Sequence, residues 1–306
     1  MSDKRIALAL FGPPHQGSFN ESGLAGAQRA RAAGFDVDVH WIIAHDPEER
    51  TAALHRLCAQ GKGLDLLVAH GGQGDGPVAS VSALFPQTCF AITQGGFVSA
   101  NTACYEVLQE QSAFLAGVLA GLLSETGTVA HLSGEKVKPG LKGRAAFAQG
   151  VGEAGTGCRF LTTFIGNQHD PDQAYRVSCQ LQRAGADLIF AMIDGGRSGV
   201  SRACRELPLR QIGNVLDWVA REPQVFVASA FADSGRCAQD AIEDFSAGRL
   251  RPGATRTHGL ESPDYVRLIT HPRVSAAHSA VLAQWQARLS SGAFRLQTDY
   301  SGPEFA

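Results

Sequence analysis

"IALALFGPPHQGSFNESGLAGAQRARAA" (residues 6–33) contains, in order, six consecutive apolar residues, a Gly/Pro-rich turn and a helix start. An unbroken apolar run of this kind suits a parallel strand covered on both faces, where no alternation with polar residues is needed. Ser18 and Glu21 then form an S-x-x-E capping box, in which the serine caps the first turn and the glutamate reaches back to the serine amide. The reading is strand Ile6–Phe11 followed by helix Glu21–Ala33. Phe19 and Asn20 fall at the joint, just past the carboxyl end of the strand, where the free amides and positive dipole end of the helix also lie. In an open α/β sheet that is ligand territory. A phenyl ring there can stack on a flat heterocycle, and an asparagine offers both a donor and an acceptor. Packing of Phe19 as a staple-like hydrophobe, with Asn20 solvating the turn, accounts for the same spacing, so both readings stand at this point.

The same alternation runs to the end of the chain. Further strands are expected at Phe35–Ile42, Leu64–His70, Cys89–Thr93, Thr128–Leu132, Cys158–Phe164, Asp187–Ile193, Gln224–Ser229 and Tyr265–Ile269. Helical patterns lie between them at Pro47–Gln60, Pro77–Leu84, Gln109–Ser124, Gly143–Glu153, Pro171–Ala184, Gly196–Leu207, Asp233–Ala247 and Ser275–Ser290. Leu115, Val118, Leu119 and Leu122 show the i, i+3, i+4, i+7 spacing of a buried helix stripe, as do His278, Val281, Leu282 and Trp285. Strand–helix alternation at this length predicts an α/β fold with parallel sheets. Two successive βα series, one to about residue 105 and one to about 231, suggest two similar Rossmann-like lobes. A ligand would then sit at the carboxyl ends of the strands, in a cleft between the lobes.

Composition narrows the function classes. Hydrophobic residues make up 44% and charged ones 18%, enough apolar content for sizeable cores, and the net charge is −2. No basic block or aromatic–basic stripe is present, so nucleic acid is not an expected partner. The longest apolar run, residues 113–123, is far short of the ~20 residues a membrane span needs. "MSDKRIALALFGPP" has only six apolar residues before Gly12, and a secretory leader needs an apolar region of about 7–15. The expectation is a cytoplasmic chain, or a periplasmic or lipid-anchored one from which a leader has been removed. Seven scattered cysteines without a CxxC spacing read as buried thiols.

Three more strands run into glycine-rich turns: "GGQGDG" (71–76), "QGG" (94–96) and "DGGRSG" (194–199). Such turns let backbone approach a bound molecule closely, although they are also ordinary βα-turn chemistry. Residues 74–79 match the dinucleotide pattern G-x-G-x-x-[G/A], but they follow the third strand, with Pro77 in the turn and no acidic residue about 20 positions on. Residues 196–199 are not a G-x-S-x-G nucleophile elbow. His169, Asp170 and Asp172 lie before a helix and read as capping and turn residues. The histidines show no H-x-x-x-H zinc pairing. A lone His15 beside the proposed cleft could touch ligand or act as an acid. No catalytic set, metal site or cofactor is expected; a small-molecule enzyme is the lowest-ranking alternative.

With "GSFNESG", "EQSAFLAGVLAGLLSETGTVAHLSG", "AFAQGV" and "GADLIFAMIDGGRSGV" in hand, the chain resembles the basic membrane protein (BMP) family from its first strand to its last helix. These are solute-binding proteins of ABC importers, many of which bind purine nucleosides. The resemblance implies a type I periplasmic-binding-protein fold, with lobe one at about 1–105 plus 232–258 and lobe two at about 106–231 plus 259–306. It also implies ligand contacts from Gln16, Ser18, Phe19, Asn20, Gly72, Gln73, Gln94, Asp194, Gly195, Asp217, Ser229 and Phe231. The family's "D-x-S-F-N" is here Gln16-Gly-Ser18-Phe19-Asn20, and a second family aspartate is Gln94. Asp194 and Arg197 depart from a glycine-rich family turn, Asp217 matches the aspartate that holds sugar hydroxyls, and Ala232 replaces the sugar-contacting lysine.

Exchanging an ionised Asp for Gln replaces an acceptor by a group that also donates, and a buried donor left unpaired costs roughly 1–3 kcal/mol. Losing the lysine removes a charge-assisted bond of about 1.5–3 kcal/mol. The expected ligand is therefore a small planar heterocycle, a nucleobase, nucleoside or purine-related analogue, bound without catalysis. The partner would be an ABC permease for an exported chain. A leaderless cytoplasmic chain would instead be a ligand sensor read by a regulator or an enzyme.

Overall fold

The structure, a computed structural model, describes residues 4–15, 17 and 19–305. In chain order the elements begin β1 (Ile6–Phe11), α1 (Phe19–Ala32), β2 (Val37–Ile42), α2 (Pro47–Ala59), β3 (Leu66–His70), α3 (Asp75–Ser82), β4 (Cys89–Thr93) and β5 (Thr102–Val107). They continue with α4 (Gln109–Leu123), β6 (Thr128–Ser133), α5 (Lys138–Glu153), β7 (Arg159–Phe164), α6 (Pro171–Arg183), β8 (Leu188–Met192) and α7 (Arg197–Glu206). The last are β9 (Arg210–Val215), α8 (Trp218–Arg221), β10 (Phe226–Ala232), α9 (Ser234–Ser246), β11 (Thr255–His258), β12 (Val266–Thr270) and α10 (Ala276–Ser290). A single 3₁₀ turn, Gly72–Gly74, links β3 to α3.

The chain divides into two compact units. One runs up to Val107 and takes in Asp233–Thr257; the other comprises Leu108–Ala232 and the chain from His258 onward. Each has a six-stranded sheet, ordered β11-β5-β4-β3-β1-β2 in the first and β12-β10-β9-β8-β6-β7 in the second. Both are mostly parallel, as the βα alternation predicts, with β12 running antiparallel to β10. The fold expectation of a two-lobe α/β protein is met.

Position in the sheet explains the strand sequences. β1 lies between β2 and β3, and all six residues of IALALF are buried. The edge strand β2, VDVHWI, alternates and exposes Asp38. The first core gathers Phe11, Leu54, Leu67, Val78, Phe90 and Ile92, and the second Leu132, Leu181, Ile189, Val200 and Leu209. Four helices start on aspartate caps: Asp46 accepts from the amides of Glu48 and Glu49, Asp170 from Gln173, Asp217 from Ala220, and Asp233 from Arg236. Pro47 and Pro171 follow two of these caps, where a missing amide costs nothing. Asp170 is thus the capping residue that its sequence setting suggests.

Three strands escape the sequence reading. β5 and β9 are buried over nearly their whole length yet contain Thr102, Tyr105, Glu106, Gln211 and Asn214, whose polarity hides an apolar run. Part of this polarity is paired: Tyr105 donates to Asp244 at 3.1 Å and Ser201 to Gln211 Oε1 at 3.1 Å. β11 is a polar, exposed edge strand. All seven cysteines are free thiols; Cys58, Cys104 and Cys237 are buried and the other four are half-buried. Burial pushes the Cys58 thiol up to about 11, the behaviour of an inert core residue.

Candidate functional site

The carboxyl ends of β1, β3 and β4 bring together a compact aromatic and amide cluster. Asn20, in the first turn of α1, donates from Nδ2 to the carbonyl of Phe11, the last residue of β1, at 2.8 Å. A carbonyl only accepts, so this bond fixes which way the amide lies and makes Oδ1 the outstanding acceptor. Asn20 is 4% exposed, and its Oδ1 meets no hydrogen-bond partner among the described residues. A buried acceptor of this kind costs about 1–3 kcal/mol until something donates to it.

Beside it, the half-buried Phe19 ring stacks on His70 with centroids 4.4 Å apart and planes 27° from parallel. His70 is the last residue of β3 and is fully buried. Its Nε2 lies 3.0 Å from the Phe19 carbonyl and its Nδ1 2.8 Å from the Thr93 hydroxyl at the end of β4. Since the Phe19 carbonyl must accept, Nε2 carries the proton, and in the neutral ring Nδ1 accepts from Thr93. Two glycines make room for the pair. A Cβ at Gly23 would lie 2.5 Å from His70 Cδ2, and one at Gly71, whose φ is +117°, would lie 3.0 Å from Phe19 Cε1. Gly72 and Gln73 follow in the 3₁₀ turn, with the Gln73 amide oxygen 3.4 Å from that same Gly71 position.

His70 and Thr93 are not among the sequence-predicted site residues. The available signal is positional: each is a polar residue closing an otherwise apolar strand, LLVAH and CFAIT. Histidine-to-Gln and histidine-to-Asn substitutions separate its two bonds. His70→Gln reaches the Phe19 carbonyl with its amide, whereas His70→Asn keeps only the Thr93 contact. Urea melts should show each variant less stable than wild type by about 1 kcal/mol, the worth of one lost hydrogen bond. A His70→Asn protein as stable as wild type would remove the Phe19 carbonyl bond as a determinant of this cluster.

Gln94 is 1% exposed and sits at φ +58° immediately after β4. Its amide is committed on both sides: Nε2 donates to the Val107 carbonyl at 3.1 Å and Oε1 accepts the Val107 amide at 2.6 Å. It braces the ends of β4 and β5 against each other rather than presenting its amide outward. Gln16 and Ser18 lie outside the described residues.

In the second unit the named residues fall along β8, β9 and β10. Asp194 and Gly195 follow β8, and Asp194 is 6% exposed. Arg197, also buried, donates to the carbonyls of Ala191 at 3.1 Å and Ile193 at 2.7 Å and to Asn214 Oδ1, with the Trp218 ring 4.8 Å from its guanidinium carbon. Burial lowers its pKa to about 9, opposed by Asp194, so it remains a cation at neutral pH. Asp217 caps α8 by accepting the Ala220 amide at 3.0 Å, and Ser229 Oγ accepts the amides of Trp218 and Val219 at 2.9 and 3.1 Å. These two residues hold the Trp218 loop. Phe231 is covered by the Arg267 guanidinium at 3.9 Å, and Ala232, in the place of the family's lysine, is buried. Val215, the last residue of β9, has φ +72°, a strained setting for a β-branched residue. Backbone strain at Gln94 and Val215 therefore falls at a strand end in each unit, the kind of position where strain accompanies binding sites.

Among the described residues no group of three or more His, Cys, Asp or Glu side chains could hold a metal ion. No helix among them is long and apolar enough to cross a membrane.

Comparison with known proteins bears on the same architecture. The fold is similar to that of an ABC transporter solute-binding protein from Aeropyrum pernix K1, with TM-score 0.83 and 19% identity over 97% of this chain and 94% of that one. A solute-binding protein from Conexibacter woesei DSM 14684 gives 0.70 and 23% over 96% and 99%. A transcriptional activator of the comK gene from Bacillus halodurans gives 0.74 and 17% over 94% and 98%. No curated protein matches the sequence. A family model described as ABC transporter substrate-binding protein PnrA-like matches residues 4–290, and the chain therefore belongs to the Bmp family of substrate-binding proteins.

Proposed function

We propose that this protein captures a small planar heterocycle, a nucleobase, nucleoside or purine-related analogue, and presents it unchanged to an ABC permease. Family membership implies the small molecule and the permease. The observation that carries the finer reading is the buried Oδ1 of Asn20, unpartnered among the described residues, on the residue that follows Phe19 in the chain. A flat ligand stacked on the face of Phe19 opposite His70, with an N–H on its edge, satisfies that acceptor and uses the ring. The alanine at position 232 favours a bare base over a nucleoside, because no lysine is present there to hold a ribose.

A transport role places the protein outside the cytoplasmic membrane. The fold likeness to a transcriptional activator does not by itself choose between transport receptor and intracellular sensor; the match to transport substrate-binding proteins favours the receptor. Cell fractionation separates the two.

Native mass spectrometry of the purified protein, followed by denaturing extraction, should release a purine-like compound. Calorimetric titration with hypoxanthine, xanthine, guanosine and inosine should then show at least one base bound. Phe19→Ala should weaken that binding by about ten- to a hundredfold, the worth of one stacked base. Tight binding of guanosine or inosine with no base bound would overturn the preference for a base. An acyl, sugar or amino-acid ligand would overturn the heterocycle reading altogether.

A further inference from the structure

We propose that the outer face of α2, in the first unit, is the contact surface of a symmetric dimer, its partner a second copy of this chain. The face uses no residue of the strand-end cluster around Phe19.

α2 buries Arg50, Leu54 and Cys58, the last two in the first core. Its other side carries Glu48, Ala52 and Arg56, all exposed. These three stand at i, i+4 and i+8, so they form one ridge of the helix, spaced at about 6 Å along its axis. The side chains of Glu48 and Arg56 make no hydrogen bond or ion pair among the described residues. A groove runs on either side of the ridge. One, of about 610 Å³, lies between α2 and α3 and is bordered by Leu84; the other, of about 440 Å³, lies between α2 and the end of β2 and is bordered by Ile43. Ala52 and Arg56 line both. Ile43 is 64% exposed and Leu84 62%, and they are the large hydrophobics left exposed among the described residues. A single exposed hydrophobic is ordinary, but here one stands on each flank of the same ridge.

The ridge is complementary to itself. Its centre is an alanine, and its two ends carry opposite charges four residues to either side. A two-fold axis passing beside Ala52, at right angles to the helix, sets a second α2 antiparallel to the first. Glu48 then faces Arg56 of the second copy, and Arg56 faces Glu48 of the second copy, the reciprocal matching of an isologous contact. The small side chain at the axis lets the two helices approach closely. The same axis keeps each flank on its own side, so the groove with Ile43 meets its counterpart, as does the groove with Leu84. Burial of these two side chains and their neighbours supplies the apolar gain, and the end charges set orientation and register. A foreign partner would require neither the opposite charges nor their equal spacing about a small residue.

The test is sedimentation velocity of the full chain from about 1 to about 200 μM, at about 0.05 M salt, where charge pairs are weakly screened. Wild type should show a concentration-dependent monomer–dimer equilibrium. Glu48→Arg and Arg56→Glu each set like charges opposite one another at both ends of the ridge, and each should weaken dimerisation by about tenfold or more. Combined, the two reversals restore opposite charges, and the double variant should return to within about threefold of wild type. Ala52→Arg, which puts bulk and charge on the axis, should give a monomer at every concentration. Melting curves of the dilute proteins should show all four variants folded, because the altered side chains are exposed. A wild-type chain that stays monomeric throughout, a dimer that both single reversals leave intact, or a double variant no tighter than the singles would overturn the proposal.

Discussion

Alanine at Gly150 or Gly117 should destabilise the second unit by about 3 kcal/mol or more, at the upper end of what overpacking costs. These two glycines are where α4 and α5 cross. A Cβ at Gly117 would lie 2.2 Å from the Phe147 carbonyl oxygen, and one at Gly150 would lie 2.1 Å from the Phe114 carbonyl oxygen. The obstacle in each case is backbone, which cannot swing aside like a side chain, so the helices must move apart. Phe114 and Phe147 are fully buried at this crossing, and separation would open voids around both rings. Gly152 provides the control: it lies on the same helix with nothing within 4 Å of its Cβ position. There alanine should raise stability by up to about 1 kcal/mol through helix propensity alone. Urea melts of the three variants check both signs. A Gly150→Ala protein as stable as wild type would mean that the crossing relaxes freely.

The second large effect is a loss of stability between about pH 6.5 and pH 4 that traces to His131. This residue is fully buried on β6, with Nδ1 2.9 Å from the Thr162 hydroxyl and no partner for Nε2 among the described residues. Burial, with the Arg144 guanidinium nearby, drops its pKa to about 3, from about 6.5 in an unfolded chain. Below pH 6.5 the unfolded chain binds a proton that the folded one refuses. Stability is therefore intact above that pH and falls by about 1.4 kcal/mol per pH unit beneath it, roughly 3 kcal/mol by pH 4. Two paired carboxylates act lower down. Burial pulls Asp244 up, but bonds from Arg256, Tyr105 and Arg249 hold it below the usual range; bonds from Lys136 and Arg144 do the same for Glu304. Their contributions are lost only as pH falls beneath the unfolded carboxylate value, which leaves the higher window to the histidine. Denaturant melts across pH 4–7 should show a clearly flatter slope for His131→Leu than for wild type, whatever the variant's stability at neutral pH. Parallel slopes would place the histidine's proton elsewhere.

How much of this was legible in advance depends on what each residue answers to. The strand IALALF and the capped helices were readable because periodicity, caps and N-terminal prolines are local properties, set by neighbours within a turn or two. β9 was not, because Gln211 and Asn214 look solvated until Ser201 and Arg197 are brought to them from another element. α5 starts at Lys138 rather than at Gly143, its first turn lacking an apolar stripe.

The site divides along the same line. The sequence by itself determined that an aromatic ring and an amide stand at the end of the first strand, since chain order alone puts Phe19 and Asn20 at that joint. It also determined family membership, which rests on motifs spread along residues 4–290. Only the tertiary structure decided that Asn20 donates its amide to Phe11, that His70 backs the Phe19 ring, and that Gln94 closes on Val107. Each of those outcomes depends on a partner 9, 51 or 13 residues away in the chain. Hydrogen-bond direction and ring stacking are set by distances of a few ångströms between separate strands, and residue type and spacing do not encode those distances.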